Sequence, residues 1–166
     1  MKNKKLYLLI LVVLLQIFTP IVAIAKKNYD LKDAPVYKVS VNGYDPYDIL
    51  RGRYIQLRPE IEINIYTDKK YIEKDYNGYI SVIDTTDYTE KEKEDLNYFE
   101  ELDLSKYYIN ENLADSAEKF IRDNPDNDLY LEVQILKGKY KVLGMYVVLD
   151  NGEISTIEEI GETYDS

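Results

Sequence analysis

The chain has 166 residues, with 31 acidic and 21 basic side chains, a formal net charge of −10, no cysteine and no histidine. Without cysteine there is no disulfide framework, zinc–thiolate site or lipid-modified Cys; without histidine there is no Ser-His-Asp triad, and the commonest general base and metal ligand is missing. The negative charge argues against nucleic acid or an anionic lipid surface as partner, because phosphates repel it.

The first predicted element is apolar. Lys2, Lys4 and Lys5 precede an uncharged run from Leu6 to Ala25, which as a helix at 1.5 Å per residue reaches roughly 30 Å, about one bilayer core. Two readings fit it. A signal peptide would have its apolar region at Leu6–Phe18, Pro20 ahead of the cut, and Ala23-Ile24-Ala25 as the cleavage site. An anchor would place the lysine-rich N-terminus in the cytoplasm and the rest outside, with Pro20 kinking its outer end. The expected domains are therefore 1–25, anchor or signal peptide, and 26–166, an extracytoplasmic domain. Residues 1–25 hold three lysines and no acid, so the remainder carries −13.

Strand signals dominate that remainder. Tyr37, Val39 and Val41 predict a strand. From Tyr54 to Tyr66, the aliphatic residues Ile55, Leu57, Ile61, Ile63 and Ile65 alternate with polar ones, a half-buried strand interrupted by Pro59 as a bulge or an edge. Asn77-Gly78 predicts a turn into a strand over Tyr79–Ile83. Thr89 with Glu92 is a capping-box pattern, followed by an apolar stripe of Leu96, Phe99 and Leu102, which predicts a helix. Leu113, Ala117, Phe120 and Ile121 predict a second helix, stopped by Pro125. Leu129, Leu131, Val133 and Ile135 alternate; Tyr140–Leu149 is apolar on both faces, as in a central strand. With turns at Lys137-Gly138-Lys139 and Asp150-Asn151-Gly152, residues 129 to about 157 form a predicted three-stranded meander. The fold class is α+β, a mainly antiparallel sheet with two short helices after one N-terminal hydrophobic helix.

One segment stands apart, Tyr44-Asp45-Pro46-Tyr47-Asp48-Ile49-Leu50-Arg51-Gly52-Arg53-Tyr54-Ile55-Gln56-Leu57. Asp45 suits an N-cap, Pro46 the first helical position, Asp48 a capping box and Gly52 a left-handed C′. This predicts one helical turn feeding straight into a strand. Arg51 and Arg53 either pair with Asp45 and Asp48 to hold the turn or offer a cationic contact to a partner. The candidate binding residues are Asp45, Asp48, Arg51, Gly52, Arg53, Tyr54 and Leu57.

Asp-Pro-x-Asp-x-x-Arg-Gly-Arg-Tyr-x-x-Leu resembles the signature of the GDYXXLXY proteins, bacterial membrane-anchored proteins of unknown function. Gly52, Tyr54 and Leu57 match the name; Arg53 replaces its Asp and Pro59 its last Tyr. The likeness extends to Gln16 and Pro20 in the hydrophobic segment, to Tyr37-Lys38-Val39, to Tyr107-Tyr108-Ile109, and to strands 140–149 ending at Asn151-Gly152. The resemblance implies an uncleaved anchor and an association with polytopic membrane proteins, beside which members of the family tend to be encoded.

Other constellations give weaker signals. The 18 tyrosines, with a cluster at Tyr66, Tyr71, Tyr76 and Tyr79, could stack on wall glycans, though Tyr is also an ordinary strand residue. Asp123, Asn124, Asp126, Asn127 and Asp128 lack the spacing, the turn Gly and the distant Glu of an EF-hand loop and read as a helix-ending turn. The passage around Tyr44-Asp45-Pro46 is loosely similar to the region after the nucleophile in signal peptidases, but the Ser is missing. Ser40 and Ser81 are strand residues without a designated base. The expectation is a non-catalytic accessory module without cofactor or metal, contacting a polytopic membrane protein through Asp45–Leu57. The alternatives are a secreted or anchored glycan-binding domain and a carboxylate-dependent hydrolase.

Overall fold

The computed structural model describes residues 2–43, 54–61 and 69–164. The elements, in chain order, are α1 (Lys2–Asp30), β1 (Val36–Gly43), β2 (Tyr54–Pro59), β3 (Lys70–Lys74), β4 (Ile80–Val82), α2 (Glu90–Asp95), β5 (Asn97–Phe99), β6 (Lys106–Tyr108), α3 (Glu111–Asp123), β7 (Asp128–Leu136), β8 (Lys139–Val148), β9 (Ile154–Thr156) and α4 (Ile157–Thr163). The chain divides after Ala34 into two compact units. The first holds α1, whose segment Tyr7–Asp30 is long and apolar enough to cross a membrane and is nowhere buried. By length and composition it fits a membrane anchor or a signal sequence. The helix runs on through Pro20, and the Thr19 hydroxyl donates to the Leu15 carbonyl one turn back at 2.6 Å. Such back-bonding is common where apolar surroundings leave backbone groups short of partners.

The second unit is the expected α+β fold. Six strands run in the order β6-β2-β1-β7-β8-β9 and three more in the order β4-β3-β5, with antiparallel neighbours throughout both sheets. Period-2 alternation makes β1 and β7 the centre of the larger sheet. Tyr37, Val39 and Val41 face Val133, Leu131 and Leu129 across the ladder, and all but the half-buried Leu129 are buried. Ile55 and Leu57 of β2, Ile72 of β3, Phe99 of β5, Ala117 and Ile121 of α3, and Ile157 of α4 close the same core.

The meander is present as β7, β8 and β9, but β8 is not buried on both faces. The register runs Glu132↔Gly144 and then Val133↔Val142, so Leu143 is an extra residue in a bulge and is 43% exposed. A bulge reverses which parity faces inward. Tyr140 and Val142 pack on the core before it, Met145 and Val147 after it, which is why the strand is apolar at successive positions. Between β7 and β8 the turn residues Lys137 and Gly138 have φ of 45° and 83°, the paired positive values of a type I′ hairpin.

The helix expected after Thr89 stops at Asp95. Its capping box forms as predicted, yet all six residues of α2 stay at least partly exposed. Leu96, Phe99 and Leu102 are not a helical stripe, because Asn97–Phe99 pairs with β3 as β5. Phe99 and Leu102 still reach the core, from a strand and a loop. Strand pairing wins because Asn97 bonds more widely than a helical asparagine could. Its Nδ2 donates to the Tyr37 hydroxyl at 3.0 Å and the Ile135 carbonyl at 2.6 Å, and its Oδ1 accepts from the Lys137 and Tyr98 amides at 2.7 and 3.1 Å. A further joint comes from the Lys38 amide, which donates to the Gly78 carbonyl at 2.9 Å.

α3 takes Asn110 as its N-cap and ends at Asn124, just before Pro125. α4 adds a helix to the two short ones expected. Thr156 and Glu159 form its capping box, and Gly161 permits a close approach to α3, since a Cβ there would stand 3.0 Å from the Leu113 carbonyl. The alternating strand expected to reach Tyr66 is described as far as Pro59, the last residue of β2 and the partner of Val41.

Replacing Asn97 by alanine removes both ends of the inter-sheet network and leaves half-buried partners unpaired. The expected loss is about 2–4 kcal/mol in urea unfolding, with Asn97→Asp recovering only the acceptor half.

Candidate functional site

Asp45, Asp48, Arg51, Gly52 and Arg53 lie outside the described residues. The end of the motif that enters β2 divides its work between two faces. Leu57 is buried in the core, paired across the ladder with Gly43, and its amide donates to the Ser105 carbonyl at 2.8 Å. Tyr54 lies on the opposite face. It pairs in register with Tyr108, their rings 5.9 Å apart and tilted by 59°, and the Lys106 ammonium sits 5.0 Å from the Tyr54 ring centroid. Tyr108 is 71% exposed. Opposite the motif, Gly43 ends β1 where a Cβ would come within 3.2 Å of Ile121, and Asn42 Nδ2 donates to Glu60 Oε1 at 3.1 Å. The motif strand thus has an aliphatic residue in the core and an aromatic–cation group on the surface.

Of the expected tyrosine cluster, Tyr66 lies outside the described residues, and the other members separate. Tyr76 is almost fully exposed. Tyr71 pairs with Tyr98, rings 6.0 Å apart, on the outward face of the three-stranded sheet. Tyr79 joins a different group on the outward face of the larger sheet. There Tyr130 and Tyr146 stack at 5.3 Å and 11°, Tyr79 meets Tyr130 edge-on at 6.0 Å, and the Lys38 ammonium lies 4.9 Å from the Tyr130 ring. Tyr146 folds over Gly144, where a Cβ would stand 3.1 Å from its ring. Tyr130 is thereby buried although it points away from the core. Sequence reading missed this group because Tyr79 is 51 residues from Tyr130; the alternation of Tyr130 with Leu129 and Leu131 was the available signal.

Asp45 and Asp48, the carboxylates of the motif, lie outside the described residues. Asp123 accepts a hydrogen bond from the Tyr164 hydroxyl at 3.0 Å, and the Asn127 amide donates to the Asn124 carbonyl at 3.3 Å, consistent with a helix-ending turn. Among the described residues, no group of three or more Asp or Glu side chains is placed to hold a metal. Ser40 and Ser81 sit in β1 and β4.

The clearest electrostatic perturbation is on Tyr107, which faces the core opposite Ile55. Burial raises its pKa far above the ordinary tyrosine value, and the hydrogen bond it donates to Glu158 and that residue's charge add to the effect. Burial likewise raises Tyr79, Tyr130 and Tyr146, with nearby carboxylates contributing. Asp103 is held low by the Ser105 hydroxyl and amide.

Two expectations follow from these placements. Leu57→Ala is expected to cost about 2–5 kcal/mol of stability. Tyr54→Ala gives up a surface aromatic pair worth about 1 kcal/mol, so urea unfolding should separate the two halves of the motif strand. The tyrosines give a pH dependence. Folded tyrosines with raised pKa values keep their protons above about pH 10, where unfolded tyrosines ionise. Stability is then fully present below pH 10 and falls as pH rises beyond it. Tyr107→Phe should start less stable at neutral pH and fall less steeply in alkali, measured by denaturant midpoints across that range.

No curated protein and no solved structure matches the chain. The family model for the GDYXXLXY protein matches residues 16–145, from inside the apolar helix through the motif and the long β7–β8 hairpin to Met145. The match covers well over half of the sequence, and the chain belongs to the GDYXXLXY family.

Proposed function

We propose that this protein is a non-catalytic accessory module of a polytopic membrane protein, tethered by α1 with its N-terminus in the cytoplasm and its β domain outside. Its contact surface is the Asp45–Leu57 segment. The observation that carries the reading is the division of labour in β2. Leu57 secures the motif strand in the core, and Tyr54 stands on the outer face with Lys106 and the exposed Tyr108. Exposed tyrosines and arginines are enriched at protein interfaces. With Arg51 and Arg53 next in sequence and Asp45 and Asp48 ahead of them, the segment is neutral overall, and its strand end, with Lys106, is the cationic side on a domain of net −13. Such a contact favours an acidic partner surface and sets the register of docking. The absence of histidine and cysteine from the chain supports a binding role over a catalytic one.

The test is crosslinking in intact cells, followed by purification in detergent through a C-terminal tag, comparing wild type with Arg51→Glu/Arg53→Glu. A membrane protein recovered with the wild type, and lost from a variant of unchanged thermal stability, is the expected result. Equal recovery from both would make the motif a structural turn. Mass spectrometry of the same sample should find residues 1–25 still attached; their removal would overturn the tether.

A further inference from the structure

A cleft of about 410 Å³ lies away from the motif, between α2, the outward face of β3 and β5, and the β7–β8 turn. Its floor is aromatic. Tyr71 and Tyr98 face each other across the ladder, their rings tilted by 60°. Its rim is cationic. Lys69 holds its ammonium 4.7 Å from the Tyr98 ring centroid, Lys137 enters from the hairpin turn and Lys93 from α2, and Glu90 and Glu94 of α2 line the same rim, which leaves it one positive charge in excess.

We propose that this cleft binds an anionic saccharide, a sugar ring carrying a phosphate or a carboxylate. The aromatic floor supplies a face for the apolar C–H side of the ring. Lysine ammoniums are donors only, so three at the rim select acceptor oxygens bearing negative charge over neutral hydroxyls. The tilted tyrosines leave no parallel-walled slot for a flat nucleobase. A domain of net −13 repels an anion at long range, but screening confines that repulsion to roughly 8 Å at physiological salt, and within the cleft three lysines outnumber two glutamates.

The position of Lys137 supports this assignment. A type I′ turn favours Asn-Gly, yet Lys137 occupies the left-handed region at φ 45°, a conformation that costs a side-chain-bearing residue of this kind roughly 1–2 kcal/mol. Its amide bonds Asn97 Oδ1 and its ammonium the Glu94 carbonyl at 3.0 Å, so the strained residue holds a charge at the cleft's edge. Residues kept in sparsely populated backbone regions cluster at ligand sites. The Lys93 side chain is mostly covered and pairs at 3.0 Å with Glu90, whose own side chain is 90% exposed. A pair with one partner in solvent is screened and worth little, and Glu90 can yield its place to a ligand anion.

The inference rests on the extracytoplasmic location proposed above for access to such sugars, but its test does not. The full chain in detergent is titrated with glucose 1-phosphate and tri-galacturonate, with cellotriose, inorganic phosphate and adenosine monophosphate as controls. Binding is followed through tyrosine fluorescence, since the chain has no tryptophan. Both anionic sugars should bind at least about tenfold more tightly than each control, a gap of about 1.4 kcal/mol. Lys137→Asn suits the turn better and should leave the melting temperature equal or higher, while weakening both anionic sugars severalfold; Lys69→Gln should do the same without that gain. Equal binding of cellotriose, stronger binding of adenosine monophosphate than of glucose 1-phosphate, unchanged affinity in both folded variants, or no binding of either anionic sugar would each overturn the proposal. Digestion of intact cells with a protease that cannot cross the membrane tests the location separately.

Discussion

Asn97 is where the two sheets become one structure. Its amide donates to a β1 side chain and a β7 carbonyl and accepts from the β7–β8 turn and its own neighbour. The three-stranded sheet has short strands, and a small sheet of this kind is marginal by itself. Fixing β5 against the end of β7 brings Phe99 and Ile72 into the common core and stops α2 after six residues. The same joint brings the Gly138 amide to the Tyr98 carbonyl at 2.9 Å, so the tightest hairpin of the large sheet is docked on the small one. The cleft lined by Tyr98 and Lys137 lies at that docking.

A sheet with helices on one face must protect the other. Among the described residues, Tyr79, Tyr130, Tyr146 and Lys38 interlock over the centre of the outward face, and Tyr130 is buried there. Tyrosine suits this use because its ring packs while its hydroxyl stays wet. Much of the unusual tyrosine content therefore has a structural explanation, and Tyr54 with Tyr108, and Tyr71 with Tyr98, form two separate pairs away from that group.

The motif is a seam between packing and display. Its aliphatic positions Ile55 and Leu57 are needed by the core whatever the protein contacts, and Tyr54 is not. A signature containing both kinds of residue reflects two constraints, one on folding and one on the surface. The period-2 alternation of β2 separates them physically, since neighbouring side chains point to opposite faces.

By itself the sequence determined the apolar N-terminal helix, the α+β class, β1, the three-stranded meander with its turns, the cap of α2 and the extent of α3. Each depends on periodicity or on a cap written within a few residues, and the Thr156–Glu159 cap of α4 was equally legible. In the site, the inward role of Leu57 and the outward one of Tyr54 were readable from alternation; the neighbours of Tyr54 were not. The tertiary structure alone decided that Asn97–Phe99 is a strand, that Leu143 bulges, that Tyr79 joins Tyr130 while Tyr71 joins Tyr98, and that Lys69, Lys93 and Lys137 share one cleft. Asn97 finds Tyr37 across 60 residues and Lys137 across 40. Three-residue strands such as β5 and β6 have too little local preference to declare themselves, and form because a partner strand supplies their hydrogen bonds and the core supplies their burial.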